Sequence, residues 1–271
     1  MRELERHPDT PVVRPSAISP EVSVGVLGRG RLGSVISAGL QAAGCRASDP
    51  LPRDAELAGF DAVLLCVPDS QIAAAGRTII PGPLVGHCSG ATGLDALAPH
   101  EAFTLHPLMT VTLDDGPERL SGAGAAIAGS TSRSRRFARQ LATALAMRPF
   151  ELDETDRAAY HAAASMASNF LITLQAAAER LAAGTGAHRD LLVPLVRATV
   201  DNWSQLGPER ALTGPVARGD EATVATQRAA VAERTPELVA MYDVLVEATR
   251  GLAERRGQPA ADPTDVTAVT G

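Results

Sequence analysis

A short apolar run, Val22 to Leu27, leads without a break into Gly28-x-Gly30-x-x-Gly33, and a helical stretch follows from Ser34 to Gly44. Strand, glycine turn and helix in that order are the arrangement that cradles a dinucleotide pyrophosphate. The first glycine permits the tight turn, the second lets the backbone approach the phosphates, and the third lets the helix close on the strand. Free N–H groups and the positive end of the helix dipole then favour the anion. The expectation is a nicotinamide or flavin dinucleotide site built from Gly28, Arg29, Gly30, Arg31, Leu32 and Gly33. The plainer alternative is a glycine turn in an α/β domain that binds nothing.

Apolar runs at 60–67, 83–88, 102–105 and 124–129 alternate with helical or loop segments, and a further strand is expected at 148–152. Alternation of this kind predicts a doubly wound parallel sheet. After about residue 153 the texture changes. Segments 155–183, 188–206, 220–234 and 236–255 are rich in Ala and Leu at helical spacing. The predicted class is therefore α/β, an N-terminal Rossmann domain followed by an all-helical C-terminal domain. The expected boundaries are a disordered extension at 1–20, the dinucleotide-binding domain at 21–153, a helical substrate and dimerisation domain at 154–256, and a disordered tail at 257–271.

Composition removes several alternatives. The chain has 271 residues and a net charge of −6, so no basic field favours nucleic acid or an anionic membrane. Aromatics make up 3 %, too few for a base-stacking platform. No apolar run reaches membrane-spanning length and no secretory leader is evident, which predicts a cytoplasmic protein. The three cysteines are an odd number with no CxxC spacing, so neither a disulfide frame nor a metal site is expected. All 25 basic side chains are arginine, which excludes a Schiff-base lysine, a P-loop lysine and a lysine general acid.

The ligand site of such a sheet lies at the carboxyl ends of its strands. Val67, Pro68 and Asp69 end one strand and would pass near the pyrophosphate and nicotinamide; a simple strand terminator is the equal alternative. The adenosine ribose is expected near Ser48 and Asp49. Asp49 favours NAD(H), whereas Ser48 with Arg53, or Arg29 and Arg31, favours a 2′-phosphate. NADP(H) is favoured over NAD(H) on the strength of these arginines. Two further strand ends carry Ser89 and His106, able to grip a carboxylate or carbonyl and handle its proton. His87 is read as structural. Tyr160-His161 begins a segment in which His161, Ser165 and Asn169 are spaced four apart, on one helix face. Bonding to a neighbouring helix would explain that stripe equally well. Thr213 and Arg218 lie in a loop able to close over a carboxylate, with Asp220 read as an N-cap.

Gly28–Gly33, Val67-Pro-Asp69, His87–Gly90, His106-Pro107, Tyr160–Asn169 and Leu212–Asp220 together resemble the family that pairs a Rossmann-like domain with a helical domain of unknown function. That family is similar in plan to ketopantoate reductases, pyrroline-carboxylate reductases and prephenate dehydrogenases, and to the wider 6-phosphogluconate dehydrogenase C-terminal-like superfamily. The resemblance implies NAD(P) on the first domain and a homodimer through the helical one. It implies an oxidoreductase acting on a small carboxylate substrate, foremost ketopantoate (2-dehydropantoate) reduced to pantoate. Ketopantoate reductases place a catalytic lysine on the first helix of the second domain. This chain has no lysine, and His161 stands in that place. His161 is thus the expected proton donor, with Ser165 and Asn169 orienting the carbonyl, and Ser89, His106, Thr213 and Arg218 holding the carboxylate. Ser89 and His106 also look like the serine and His-Pro histidine of prephenate dehydrogenases. A prephenate- or arogenate-type dehydrogenase, an imino-acid reductase, and a non-catalytic NADP(H) sensor are the alternatives.

Overall fold

The structure, a computed structural model, describes residues 18–19 and 21–256. The expected tail at 257–271 and most of the expected extension at 1–20 lie outside the described residues. Ile18 is an exception, being buried in the core.

The described residues divide into two compact units, with the boundary between Ser168 and Asn169. The first is an α/β unit with a seven-stranded sheet in the order β2-β1-β3-β4-β5-β6-β7. Its strands are β1 (Ser23–Leu27), β2 (Arg46–Ala47), β3 (Ala62–Leu65), β4 (Leu84–His87), β5 (Ala102–Leu108), β6 (Gly124–Gly129) and β7 (Arg148–Glu151). Every residue of β3 and β4 is buried, as expected where helices cover both faces of a parallel sheet. On one face α1 (Arg31–Ala42) contributes Val35, Ile36 and Leu40, and α3 (Ser132–Ala144) contributes Phe137, Ala138 and Leu141. On the other, α2 (Asp69–Arg77) contributes Ile72, which packs with Leu27, Val63, Leu65 and Val85.

The sheet departs from the all-parallel expectation at one seam. β5 and β6 pair antiparallel, with His106 opposite Ala126, while β6 and β7 are parallel through α3. Between β5 and β6 there is only a single 3-10 turn, Pro117–Leu120, and no helix to make a crossover. That seam also corrects the placement of His106. It does not open a loop: β6 pairs with the His106-Pro107-Leu108 stretch and carries the strand through it.

The unit boundary falls between Ser168 and Asn169, beyond the expected position at 153. The reason is α4 (Arg157–Ser165), which is tied to the α/β unit by a buried Arg157 and by Tyr160. A π-helical turn, Met166–Phe170, follows α4.

The second unit is helical: α5 (Leu171–Ala182), α6 (Arg189–Leu206), the one-turn α7 (Pro208–Ala211), α8 (Glu221–Arg234) and α9 (Val239–Glu254). Pro194 lies inside α6, which runs through it. Asp220 caps α8 by accepting from the Thr223 amide at 3.1 Å, which fixes where that helix begins. Ion pairs join its helices, among them Arg228–Asp243 at 2.7 Å and Arg250–Glu221 at 2.6 Å.

Candidate active site at the carboxyl edge of the sheet

The glycine turn has the geometry that its spacing demands. Gly28 sits at φ +129°, and a Cβ there would lie 2.3 Å from the Cys66 carbonyl oxygen. A Cβ on Gly33 would lie 2.0 Å from the Gly28 carbonyl oxygen. Both contacts are with backbone, so no rotamer change relieves them. At Gly30 the reverse holds: an added Cβ would meet nothing within 4 Å. Gly30 is the N-cap of α1 and no side chain caps that end. The result is a concave, uncapped helix N-terminus with open space above its central glycine, a cradle that fits a pyrophosphate.

Around the cradle the expected residues divide. Arg29 and Arg31 are exposed, with Arg29 Nε donating to the Pro50 carbonyl at 3.3 Å. Ser48 is half-buried and serves the backbone. Its Oγ accepts from the Val26 amide at 3.0 Å, standing in for a strand carbonyl where β2 has already ended. Asp49 accepts from Gln41 Nε2 at 3.1 Å. Pro68 is the N-cap of α2 and Asp69 its first residue, so Val67-Pro68-Asp69 is a strand-to-helix turn at the site's edge.

From the glycine turn a chain of contacts runs across the strand ends. Cys66 touches Gly28, and its Sγ lies 3.7 Å from the Sγ of Cys88. Ser89 and Gly90 follow Cys88. A Cβ on Gly90 would lie 2.9 Å from Cε1 of His106, so only glycine lets that ring lie where it does. His106 Nδ1 is 2.6 Å from the Tyr160 hydroxyl, and the two rings meet edge to face at 5.5 Å. Either the phenol donates to Nδ1, leaving Nε2 protonated, or Nδ1 donates to the phenol oxygen and the phenol proton is free for a third partner.

Burial, and then the charge of His161, push His106 down to about 4, so its ring is neutral near pH 7. Burial pushes Tyr160 up to about 12, so it is a phenol. Arg157, 4 % exposed, opposes that rise and is held by Glu154 through bonds of 2.9 and 2.6 Å. Bonding to Arg157 in turn holds the Glu154 carboxyl below the usual carboxylate range.

Ser89 and His87 prove to be internal struts. The Ser89 hydroxyl donates to Thr92 Oγ1 at 3.1 Å and accepts from the amides of Ala91 and Thr92. That shapes the loop under Gly90 and leaves no donor for a ligand. His87 is fully buried between the Ser89 amide and the Gly93 carbonyl, and burial lowers its proton affinity.

His161 is exposed on α4 within electrostatic reach of His106, and Ser165 ends that helix, half-buried. Asn169, Thr213 and Arg218 belong to the second unit, where each is exposed. The structure thus gathers Asp69, Ser89, His106 and His161 in the first unit. It adds Tyr160, Glu154 and Arg157, to which the sequence reading gave no role. Opposite charges spaced i, i+3 at 154 and 157 were the available signal for the ion pair. Among the described residues no group of three or more metal-ligating side chains occurs.

Residues 124–249 match the family described as Domain of unknown function (DUF2520). No curated protein matches the chain. Among solved structures, BF3122 from Bacteroides fragilis, provisionally named an NADP oxidoreductase, is similar with a TM-score of 0.73 and 20 % identity, over 86 % of this chain and 99 % of that one. Protein TM1727 from Thermotoga maritima is similar at 0.71 and 22 %, over 86 % and 98 %. A reductive aminase from Aspergillus terreus, in complex with NADPH and ethyl-5-oxohexanoate, is similar at 0.62 and 16 %, over 87 % and 95 %. What these structures share with this chain is the fold, a Rossmann-like sheet followed by helices.

Proposed function

We propose that this protein is an oxidoreductase that uses NADP(H), in preference to NAD(H), to reduce a small 2-oxo acid, with 2-dehydropantoate as the first candidate. The observation that carries the proposal is the His106–Tyr160 pair, 2.6 Å apart and linked to an uncapped glycine cradle through Gly90, Cys88 and Cys66. The NADP oxidoreductase name of BF3122 and the NADPH bound to the reductive aminase support the cofactor class. The exposed Arg29 and Arg31 support a 2′-phosphate.

A dinucleotide whose pyrophosphate is held at Gly28, Gly30 and Gly33 would supply hydride to the carbonyl carbon. The chain's residues must then protonate the oxygen as negative charge develops on it. Tyr160 can give its phenol proton to that oxygen while Nδ1–H of His106 bonds the resulting phenolate. As Nδ1 of His106 returns a proton to the phenolate, Nε2 takes one from solvent; loss of the Nε2 proton and gain of one at Nδ1 then restore the starting tautomer. A neutral, half-buried imidazole suits this relay because it adds no fixed charge to be solvated. His161, the next residue of α4 and within electrostatic reach of His106, is the second candidate donor. Asn169 and Ser165 remain proposed as carbonyl-orienting groups, and Thr213 and Arg218 as carboxylate ligands.

The test is NADPH consumption on mixing the protein with 2-dehydropantoate, with NADH and a cyclic imino acid run alongside. Saturable oxidation with the 2-oxo acid is expected. Oxidation with the imino acid alone would favour imine reduction, a reading supported by the reductive aminase likeness.

We also propose that the chain works as a homodimer through its helical unit. None of the 18 residues of α6 is buried, although Leu191, Leu195, Trp203 and Leu206 are 62, 65, 57 and 42 % exposed. An amphipathic helix whose apolar stripe is left exposed among the described residues offers that stripe to a second copy.

A further inference from the structure

The ends of β3 and β4 set two thiols side by side. Leu65 pairs with His87 in parallel register, so Cys66 and Cys88 are the next neighbours across the ladder, with Sγ atoms 3.7 Å apart. Cys88 is buried and Cys66 partly exposed. The hydrogen bond with Cys66, and then burial, hold the Cys88 thiol well above its usual range. Cys66 is therefore the thiol that meets a reagent from solvent. It is also the residue on which the glycine turn rests. Its carbonyl oxygen lies 2.3 Å from where a Cβ on Gly28 would be, and its own Cβ 3.3 Å from where one on Gly33 would be.

We propose that Cys66 and Cys88 form a reversible disulfide site and that its oxidation displaces the glycine turn and weakens dinucleotide binding. The second half rests on the dinucleotide reading above; the disulfide itself does not. The oxidant is a low-molecular-weight disulfide. Cys66 loses its proton to solvent and attacks one sulfur of the reagent, whose S–S bond breaks, and the departing thiolate takes up a proton. Cys88 then gives up its proton and attacks Cys66 Sγ, expelling the second small thiol. Two protein thiols lose two electrons and two protons, and the reagent gains them as two thiols. The sulfurs must close from 3.7 Å to about 2.0 Å. Cys88 is enclosed, so Cys66 moves, and the turn seated on it moves too.

The test uses the full chain treated with glutathione disulfide, followed by alkylation and peptide mass analysis, with NADPH titrated in parallel. The expected product is a Cys66–Cys88 disulfide with Cys45 still alkylated, an NADPH affinity reduced by about tenfold, and recovery with dithiothreitol. The Cys45→Ala variant should behave identically, and Cys66→Ser should form no disulfide and show the same NADPH affinity, whatever its value, with and without oxidant. Both thiols remaining free, or glutathione retained on Cys66, overturns the site. A disulfide that leaves NADPH affinity unchanged overturns the coupling. If the reduced protein fails to bind NADPH, the dinucleotide reading falls, while mass analysis still decides the disulfide.

Discussion

An added methyl group at Gly30 would meet no atom within 4 Å, whereas at Gly33 it would strike the Gly28 carbonyl oxygen. The backbone at Gly30, φ −79° and ψ 176°, also suits alanine. Gly30→Ala is therefore expected to unfold at the wild-type denaturant concentration yet lose NADPH affinity by about tenfold or more. Gly33→Ala is expected to cost about 1–3 kcal/mol in stability. Denaturant unfolding and NADPH titration of both variants separate the two; a Gly30→Ala protein that binds normally would contradict the cradle. His106 makes a second residue-scale prediction. In the unfolded chain a histidine titrates near 6.5, but burial holds this one down to about 4. Between those values the unfolded state takes a proton that the folded state refuses. Stability is thus fully present above the upper value and is lost as pH falls through the window. The loss is on the order of 3 kcal/mol. Denaturation of wild type and His106→Asn across that window should show a shallower pH dependence in the variant. Equal slopes would mean that His106 is not held neutral in the folded state.

At the scale of elements, α4 is held by Arg157, whose guanidinium is 4 % exposed and bonded at both Nε and Nη2 to Glu154. Glu154→Gln keeps the shape but leaves a buried cation without its carboxylate. A destabilisation of about 1–3 kcal/mol is expected, with turnover reduced because Tyr160 rides on the same helix. An unchanged unfolding midpoint would show that α4 is held by other contacts. The sequence made β1, the glycine turn and α1 legible because local sterics alone dictate them. The helices after residue 153 were legible from their spacing. The seam between β5 and β6 was not, since antiparallel pairing through His106 depends on a segment that lacks a crossover helix. Nor was the bond between His106 and Tyr160, which joins residues 54 apart in sequence. The backbone bonds of Ser48 and Ser89 were not legible for a related reason. A hydroxyl at a strand end looks the same whether it faces a ligand or replaces a missing backbone partner.

At the scale of the whole molecule, the proposed dimer predicts twice the chain mass in sedimentation. Trp203→Glu should shift that equilibrium toward the single chain with little change in monomer fold, because Trp203 is 57 % exposed in its own chain. A wild-type protein that sediments as one chain would contradict it. The central claim joins the two halves of the α/β unit: one end of the sheet holds a dinucleotide and the neighbouring strand end protonates what is reduced. The most direct measurement compares wild type with Tyr160→Phe, reading NADPH affinity and NADPH oxidation by the 2-oxo acid on the same samples. Equal affinity with turnover lowered by about 100-fold or more is the result predicted for a lost proton donor. Unchanged turnover in Tyr160→Phe, or a wild-type protein that does not bind NADPH, would contradict the account.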